Sequence, residues 1–370
     1  MLKRFDAIIV GGGPAGSTCA RALTAGGLRV ALLDRKEFPR DKVCAGWVTP
    51  AVLAALEVTP DEYASSHVLQ PIRAFRTGLI GDPEPITTRY DDTISYGIRR
   101  YEFDNWLLRR SGAELLLGVP LTTLHRTRGE WEVNNRWRAP LLVGAGGHYC
   151  PVARHLGAEV GRGESPVTAQ EIEFRLDDSQ RSACAVRGDT PELYFCRDLR
   201  GYGWCFRKGE WLNVGFGREG KGNLTEHVDA FLQYLQEAGR VPPLAERLHG
   251  HAYLLYRRPA PRPRYDEAVM LVGDAAGLAY PQSGEGIRPA VESALLAAEV
   301  ILAAGGRFGA SRLAAYDERL SARFGPGEAG RPPGLVRRWV GRSLLASRAF
   351  TRHVLLDRWF LHRHQLPLRA

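Results

Sequence analysis

Two groups of residues in this chain could do chemistry together. The first is Gly11-Gly12-Gly13-Pro14-Ala15-Gly16, with Asp34 placed 18 residues after the last glycine. Gly11 permits a tight turn, Gly13 removes a side chain where a pyrophosphate must approach the backbone, and Gly16 lets a helix pack on a strand. Free N–H groups and the positive dipole at a helix start favour phosphate. A carboxylate at Asp34 accepts from ribose hydroxyls and repels a 2′-phosphate, so the pattern fits FAD or NAD rather than NADP. The second group is Gly273-Asp274-Ala275-Ala276-Gly277, followed by Pro281-Gln282-Ser283-Gly284-Glu285-Gly286-Ile287. Its small residues admit a flat ligand, and Asp274 can accept from ribityl hydroxyls. A helix starting near Gly286 would stabilise negative charge on a reduced flavin.

These motifs need particular elements around them. Phe5–Val10 reads as a buried strand, Ser17–Gly26 as a helix and Leu28–Leu33 as a second strand ending at Asp34. Ala268–Val272 reads as a strand into the second turn, and a long apolar helix should run from about Gly286 to Ala304. A complete strand–turn–helix–strand unit makes the first motif far more specific than its glycines alone.

With both turns about 260 residues apart, the sequence resembles the FAD-dependent oxidoreductases that include aromatic hydroxylases, flavin halogenases and geranylgeranyl reductases. Arg100-Tyr101-Glu102-Phe103-Asp104 resembles that group's RxxFD helix start, and Leu142–Gly147 resembles its GADG strand and turn. The resemblance implies a Rossmann-like FAD-binding domain with an inserted antiparallel substrate sheet. It implies FAD contacts at Gly11, Gly13, Pro14, Ala15, Gly16, Asp34, Arg35, Cys44, Ala45, Arg100, Gly273, Asp274, Pro281, Gly284, Gly286 and Ile287.

Three details point toward the geranylgeranyl reductases. Gly146 replaces the aspartate usual in hydroxylases, and no WxWxIP halogenase motif occurs. Gly201–Gly217 resembles the reductases' YxWxFPKG…LNVG segment, with Arg207 in place of proline. Lys42-Val43-Cys44-Ala45-Gly46 resembles their KxCGG loop, where the cysteine lies near the isoalloxazine; Trp47 replaces a small residue. Seven aromatic residues fall between Tyr194 and Phe216 in alternating, strand-like sequence. One face should be core, and the other could line an apolar slot. Trp47, Tyr202, Trp204 and Phe206 are the candidate substrate contacts, and Cys44 the candidate catalytic thiol, the alternative being a cysteine that only packs on the flavin.

The resemblance places the discontinuous FAD domain at 1–66, 96–160 and 262–330, the substrate domain at 67–95 and 161–261, and a basic helical segment at 331–370. With 44% hydrophobic and 25% charged residues, the 370-residue chain is an ordinary globular one. The last forty residues hold nine arginines against one acid, Asp357, leaving the rest of the net +9 chain nearly neutral. That charge distribution argues against a nucleic-acid-binding body. Val336, Trp339, Val340, Leu344, Phe350, Val354 and Leu355 recur near helical spacing, and arginines pair at 338/342 and 348/352. Two readings of this tail stand: helices resting on anionic lipid, or helices capping the core with solvated arginines. His362-Arg363-His364 is expected to be solvated. The six cysteines show no metal spacing, so reduced thiols, no metal and a cytoplasmic site, peripheral on the inner membrane face in the lipid reading, are expected. The opening residues imitate a signal peptide, but Asp6 and the glycines interrupt it.

The function these features favour is reduction of carbon–carbon double bonds in a hydrophobic, isoprenoid-like substrate, with electrons from an external donor. An FAD monooxygenase of an aromatic or polyketide-like substrate is the alternative enzyme. An electron-transfer or membrane-docking flavoprotein is the alternative from another class.

Overall fold

The computed structural model describes residues 2–368 apart from 83, 161–163, 221–222, 244–247, 258, 261, 326–340 and 342. Ala7–Val10 is a strand of four buried apolar residues. A run without polar alternation suits a parallel strand covered on both faces. It pairs in parallel with Val30–Leu33 on one side and Leu141–Gly144 on the other. Glu114–Leu116 and Val269–Leu271 extend the sheet in parallel at either end, and Tyr265–Asp266 adds an antiparallel edge. Ligands of such sheets bind beyond the strands' carboxyl ends. Gly11, Asp34, Ala145 and Val272-Gly273 are the residues that follow four of those ends.

The first helix is Pro14–Ala25, starting three residues before the expected Ser17. Proline's fixed φ suits a helix's first position, where its missing N–H costs nothing. This helix packs against Ile287–Ala303, the long helix after the second glycine turn.

The other layer is a seven-stranded sheet in the order His249–Tyr253, Val167–Arg175, Trp211–Glu219, Gly201–Lys208, Glu192–Phe195, Ala74–Leu79 and Ile86–Arg89. Neighbours are antiparallel except Glu192–Phe195 with Ala74–Leu79. That pair is joined by a long crossover, not a hairpin, so it is free to run parallel. Side chains alternate between the faces as a period of two requires. Tyr194, Cys205 and Phe216 pack with Phe231 and Leu235 of the Leu224–Glu237 helix. Leu193, Phe195, Trp204 and Phe206 point to the opposite face. A small sheet of Trp47–Val48, Ser95–Ile98 and Leu69–Ile72 joins the two layers.

The C-terminal segment forms a short helix, Arg348–Phe350, that continues as the π-helix Thr351–Phe360. Leu355, Leu356, Phe360 and Leu361 are buried among Trp47, Phe75, Phe195 and Trp204. Arg348 is exposed, whereas Arg352 donates to the Arg89 carbonyl at 3.1 Å and lies over the Tyr90 ring. The expected solvation of His362 fails. Its ring stacks on Tyr280 at 3.8 Å and is only 5% exposed, because Leu361 beside it is drawn into the apolar layer. Val336, Trp339, Val340 and the 338/342 pair lie outside the described residues. Among the described residues no helix is long and apolar enough to cross a membrane.

Candidate active site

The first glycine turn is shaped by close backbone approach. Gly11 has φ +116°, and a Cβ there would lie 2.3 Å from the Ala145 carbonyl oxygen. A Cβ on Gly16 would lie 1.8 Å from the Gly11 oxygen. Gly13 differs, since the nearest atom to its Cβ position is Arg40 Nη2 at 3.6 Å. The fold itself therefore leaves space at Gly13, as a ligand's approach requires. Gly13 caps the Pro14–Ala25 helix without a side-chain hydrogen bond, so its first N–H groups are available to an anion. Arg40 pairs with Asp104 at 3.0 Å, and its buried Nη1 has no partner. A spare cationic donor beside a side-chain-free turn fits a pyrophosphate.

Asp34 accepts from Gly12 N–H at 2.7 Å and from Lys36 N–H at 2.9 Å. A carboxylate has about four lone-pair directions, so capacity is left for ribose hydroxyls. Arg35 is exposed and Ala15 is buried.

The second turn meets the first. Gly273 has φ +60°, and its Cβ position is 3.0 Å from the Ala15 Cβ. Asp274 lies 3.7 Å from His251 Nε2. Burial alone would raise the Asp274 pKa, but His251, Lys42 and Arg100 hold it below the ordinary range. Lys42 in turn is lowered to about 8 by burial and by Arg100, with Asp274 opposing. Pro281 is half-buried, Gly284 has φ +70° against the Tyr253 hydroxyl, and Gly286 caps the Ile287–Ala303 helix with Ile287 buried behind it.

Arg100 holds Asp104 in a two-pronged ion pair at 2.6 and 2.8 Å. Cys44 is half-buried, and its sulfur accepts from Gly46 N–H at 3.4 Å. Gly46 has φ +64°, with the Ile98 oxygen 2.2 Å from its Cβ position, so the Cys44 loop turns there. Ala45 and Trp47 follow the loop into the aromatic layer.

All four candidate substrate contacts share that layer. Trp47 lies 5.9 Å from Phe75, and Tyr202 lies 5.5 Å from Phe195 and 6.0 Å from Trp204. Phe206 is 3% exposed in the same cluster. The Tyr202 hydroxyl donates to the Ser283 carbonyl, tying the layer to the second turn.

Several residues here carry no local sequence signal. Phe360 enters the layer from the tail, 6.0 Å from Trp47 and 5.7 Å from Tyr202. Buried Arg262 bonds Glu164 at 2.6 and 2.8 Å, the Ala275 carbonyl and His148, bracing the second turn against the loop after Leu141–Gly144. Burial and Arg262 lower the His148 pKa to about 4. Asn213 donates to the Cys44 carbonyl. The LNVG resemblance covered Asn213 without giving it a role.

Residues 9–40 match the family described as NAD(P)-binding Rossmann-like domain. The chain is 28% identical over 319 residues to the geranylgeranyl diphosphate reductase of Rhodobacter capsulatus, spanning 81% of this chain and 75% of that protein. It is 29% identical over 342 residues to the digeranylgeranylglycerophospholipid reductase of Methanothrix thermoacetophila, spanning 85% and 83%. The geranylgeranyl bacteriochlorophyll reductase-like protein of Thermoplasma acidophilum has the same fold, with TM-score 0.76, 22% identity, and 99% and 93% of the two chains covered. FAD-bound flavin halogenases share the fold as well. Sequence relatives and fold agree with the converging glycine turns: the chain is an FAD-dependent oxidoreductase that is similar to geranylgeranyl reductases over four-fifths of its length.

Proposed function

We propose that this enzyme reduces carbon–carbon double bonds of a hydrophobic, isoprenoid-like substrate. One observation carries the reading: a single loop runs from Arg40, beside Gly13 and paired with Asp104, through Cys44 to Trp47 in the aromatic layer. Bound FAD supplies hydride from N5. The chain's share is to bind, orient and keep water out. Trp47, Tyr202, Trp204 and Phe206 offer aromatic surface to an alkene chain. Holding the accepting carbon about 3–3.5 Å from the donor converts the transfer to an intramolecular step. Cys44 is the candidate to place a proton on the other carbon. The relatives named for geranylgeranyl compounds support an isoprenoid as the substrate class.

Electrons come from an outside donor in this reading. The exposed Arg348, Arg358 and Arg363, together with Leu344 and the 81%-exposed Leu366, would rest on anionic lipid, where such a substrate dissolves.

The test is anaerobic. Holoprotein is chemically reduced and mixed with polyprenyl compounds, and flavin reoxidation is followed alongside product mass. Faster reoxidation with a gain of two hydrogens is expected. No acceleration by any polyprenyl compound, with NAD(P)H oxidation under oxygen stimulated by an aromatic compound instead, would replace the reductase reading with a monooxygenase.

A further inference from the structure

We infer that Asn213 and Glu171 are positioning residues: Asn213 holds the Cys44 carbonyl, Glu171 holds Asn213, and together they fix where the thiol-bearing loop stands beside the aromatic layer. The two residues sit on neighbouring antiparallel strands, Val167–Arg175 and Trp211–Glu219. The register pairs Glu171 with Gly215 and Glu173 with Asn213. Positions two apart on paired strands face the same side, so the two side chains meet.

Asn213 Nδ2 donates to the Cys44 carbonyl at 3.0 Å and also to Glu171 Oε2. Its Oδ1 accepts from Trp204 Nε1 at 2.8 Å. Asn213 is 1% exposed and Glu171 is 7% exposed. Gly215 makes room for the arrangement, since a Cβ there would lie 2.7 Å from Glu171 Cβ and 2.3 Å from the Trp204 ring.

Burying an amide and a carboxyl in an aromatic layer is unfavourable unless both are bonded. Here the amide bonds the loop of Cys44, and the carboxyl bonds the amide. Ile98 N–H, donating to the Gly46 carbonyl at 2.7 Å, holds the next stretch of the same loop. The substrate sheet therefore sets the position of Cys44. Burial keeps Glu171 protonated near neutral pH, so the partner of Asn213 brings no anion toward the thiol. The inference rests on the reductase reading only for what the loop does in turnover.

Thiol labelling tests it without substrate. Cys44 is half-buried while the other five cysteines are buried, so a maleimide reports on the loop. The variants are made in FAD-loaded protein and labelling is mapped by peptide mass. Asn213→Asp keeps the acceptor for Trp204 and loses the donor to Cys44. Glu171→Ala loses the acceptor that holds Asn213 Nδ2, and Glu171→Gln keeps it. Asn213→Asp and Glu171→Ala are expected to label Cys44 about 3- to 10-fold faster, the factor that loss of one hydrogen bond allows. Glu171→Gln is expected to stay near the wild-type rate, with the buried cysteines unchanged throughout. Wild-type labelling in both disrupting variants would overturn the clip. So would faster labelling of all six cysteines, or a Glu171→Gln rate equal to that of Glu171→Ala. A failed reductase assay with these labelling results would sink the substrate reading and leave the clip standing.

Discussion

Glu171 and Glu285 each carry a carboxyl pushed up to about 8. Burial is the main cause at both. At Glu171, Glu173 adds to it, while Lys208 and Asn213 oppose it. At Glu285, Arg288 opposes burial and Glu292 adds to it. An unfolded glutamate titrates near 4.3, so between that pH and about 8 the folded state binds the extra proton. Stability contributed by these groups must therefore fall as pH rises through that window. Glu171→Gln removes one of the two titrations. Its melting temperature is expected to gain on the wild type steadily from pH 5 to pH 8, as thermal melts in matched buffers would read; a gap constant with pH would contradict the assignment. None of this was legible in the sequence. Glu171 is an ordinary alternating residue of a strand, and the Cys44 loop it helps hold through Asn213 is 127 positions away. The glycines and Asp34 were legible because their roles depend on neighbours in sequence.

Elements with a local apolar pattern, continuous or alternating, announced themselves. The strands before both glycine turns, the long helix after the second and the aromatic strands stand where their patterns put them. The tail did not, because its packing depends on partners far back in the chain. Tyr90 donates to Asp357 at 3.0 Å, and Arg288 donates to the Gln365 carbonyl at 3.2 Å. The π-helix that results spaces Leu355, Leu356 and Phe360 onto the aromatic layer. Phe360 is 2% exposed, so Phe360→Ala should cost about 3–5 kcal/mol in urea unfolding. It should also open Trp47 to acrylamide quenching. Leu366→Ala, at an 81%-exposed position on the same segment, should change stability by less than about 0.5 kcal/mol. Equal effects of the two substitutions would mean that the tail does not seal the layer.

At the scale of the molecule, the parallel sheet supplies strand ends and helix starts for a dinucleotide, and the seven-stranded sheet supplies an apolar face. The Cys44 loop and the Tyr202–Ser283 contact join them. Everything functional here depends on the two turns, 262 residues apart in sequence, enclosing one FAD. Two substitutions probe this. Gly13→Val has no protein atom within 3.4 Å of its new Cβ, whereas Asp274→Ala takes a carboxylate from beside His251, Lys42 and Arg100. The decisive measurement is an FAD titration of the three proteins by visible absorbance and melting temperature. The wild type should turn yellow and gain stability, while Gly13→Val keeps the wild-type apoprotein melt and both variants bind FAD at least about tenfold more weakly, as loss of one charge-assisted contact or of backbone approach implies. A wild-type protein that stays colourless and unshifted with added FAD, or a Gly13→Val protein that binds it with undiminished affinity, would contradict the account.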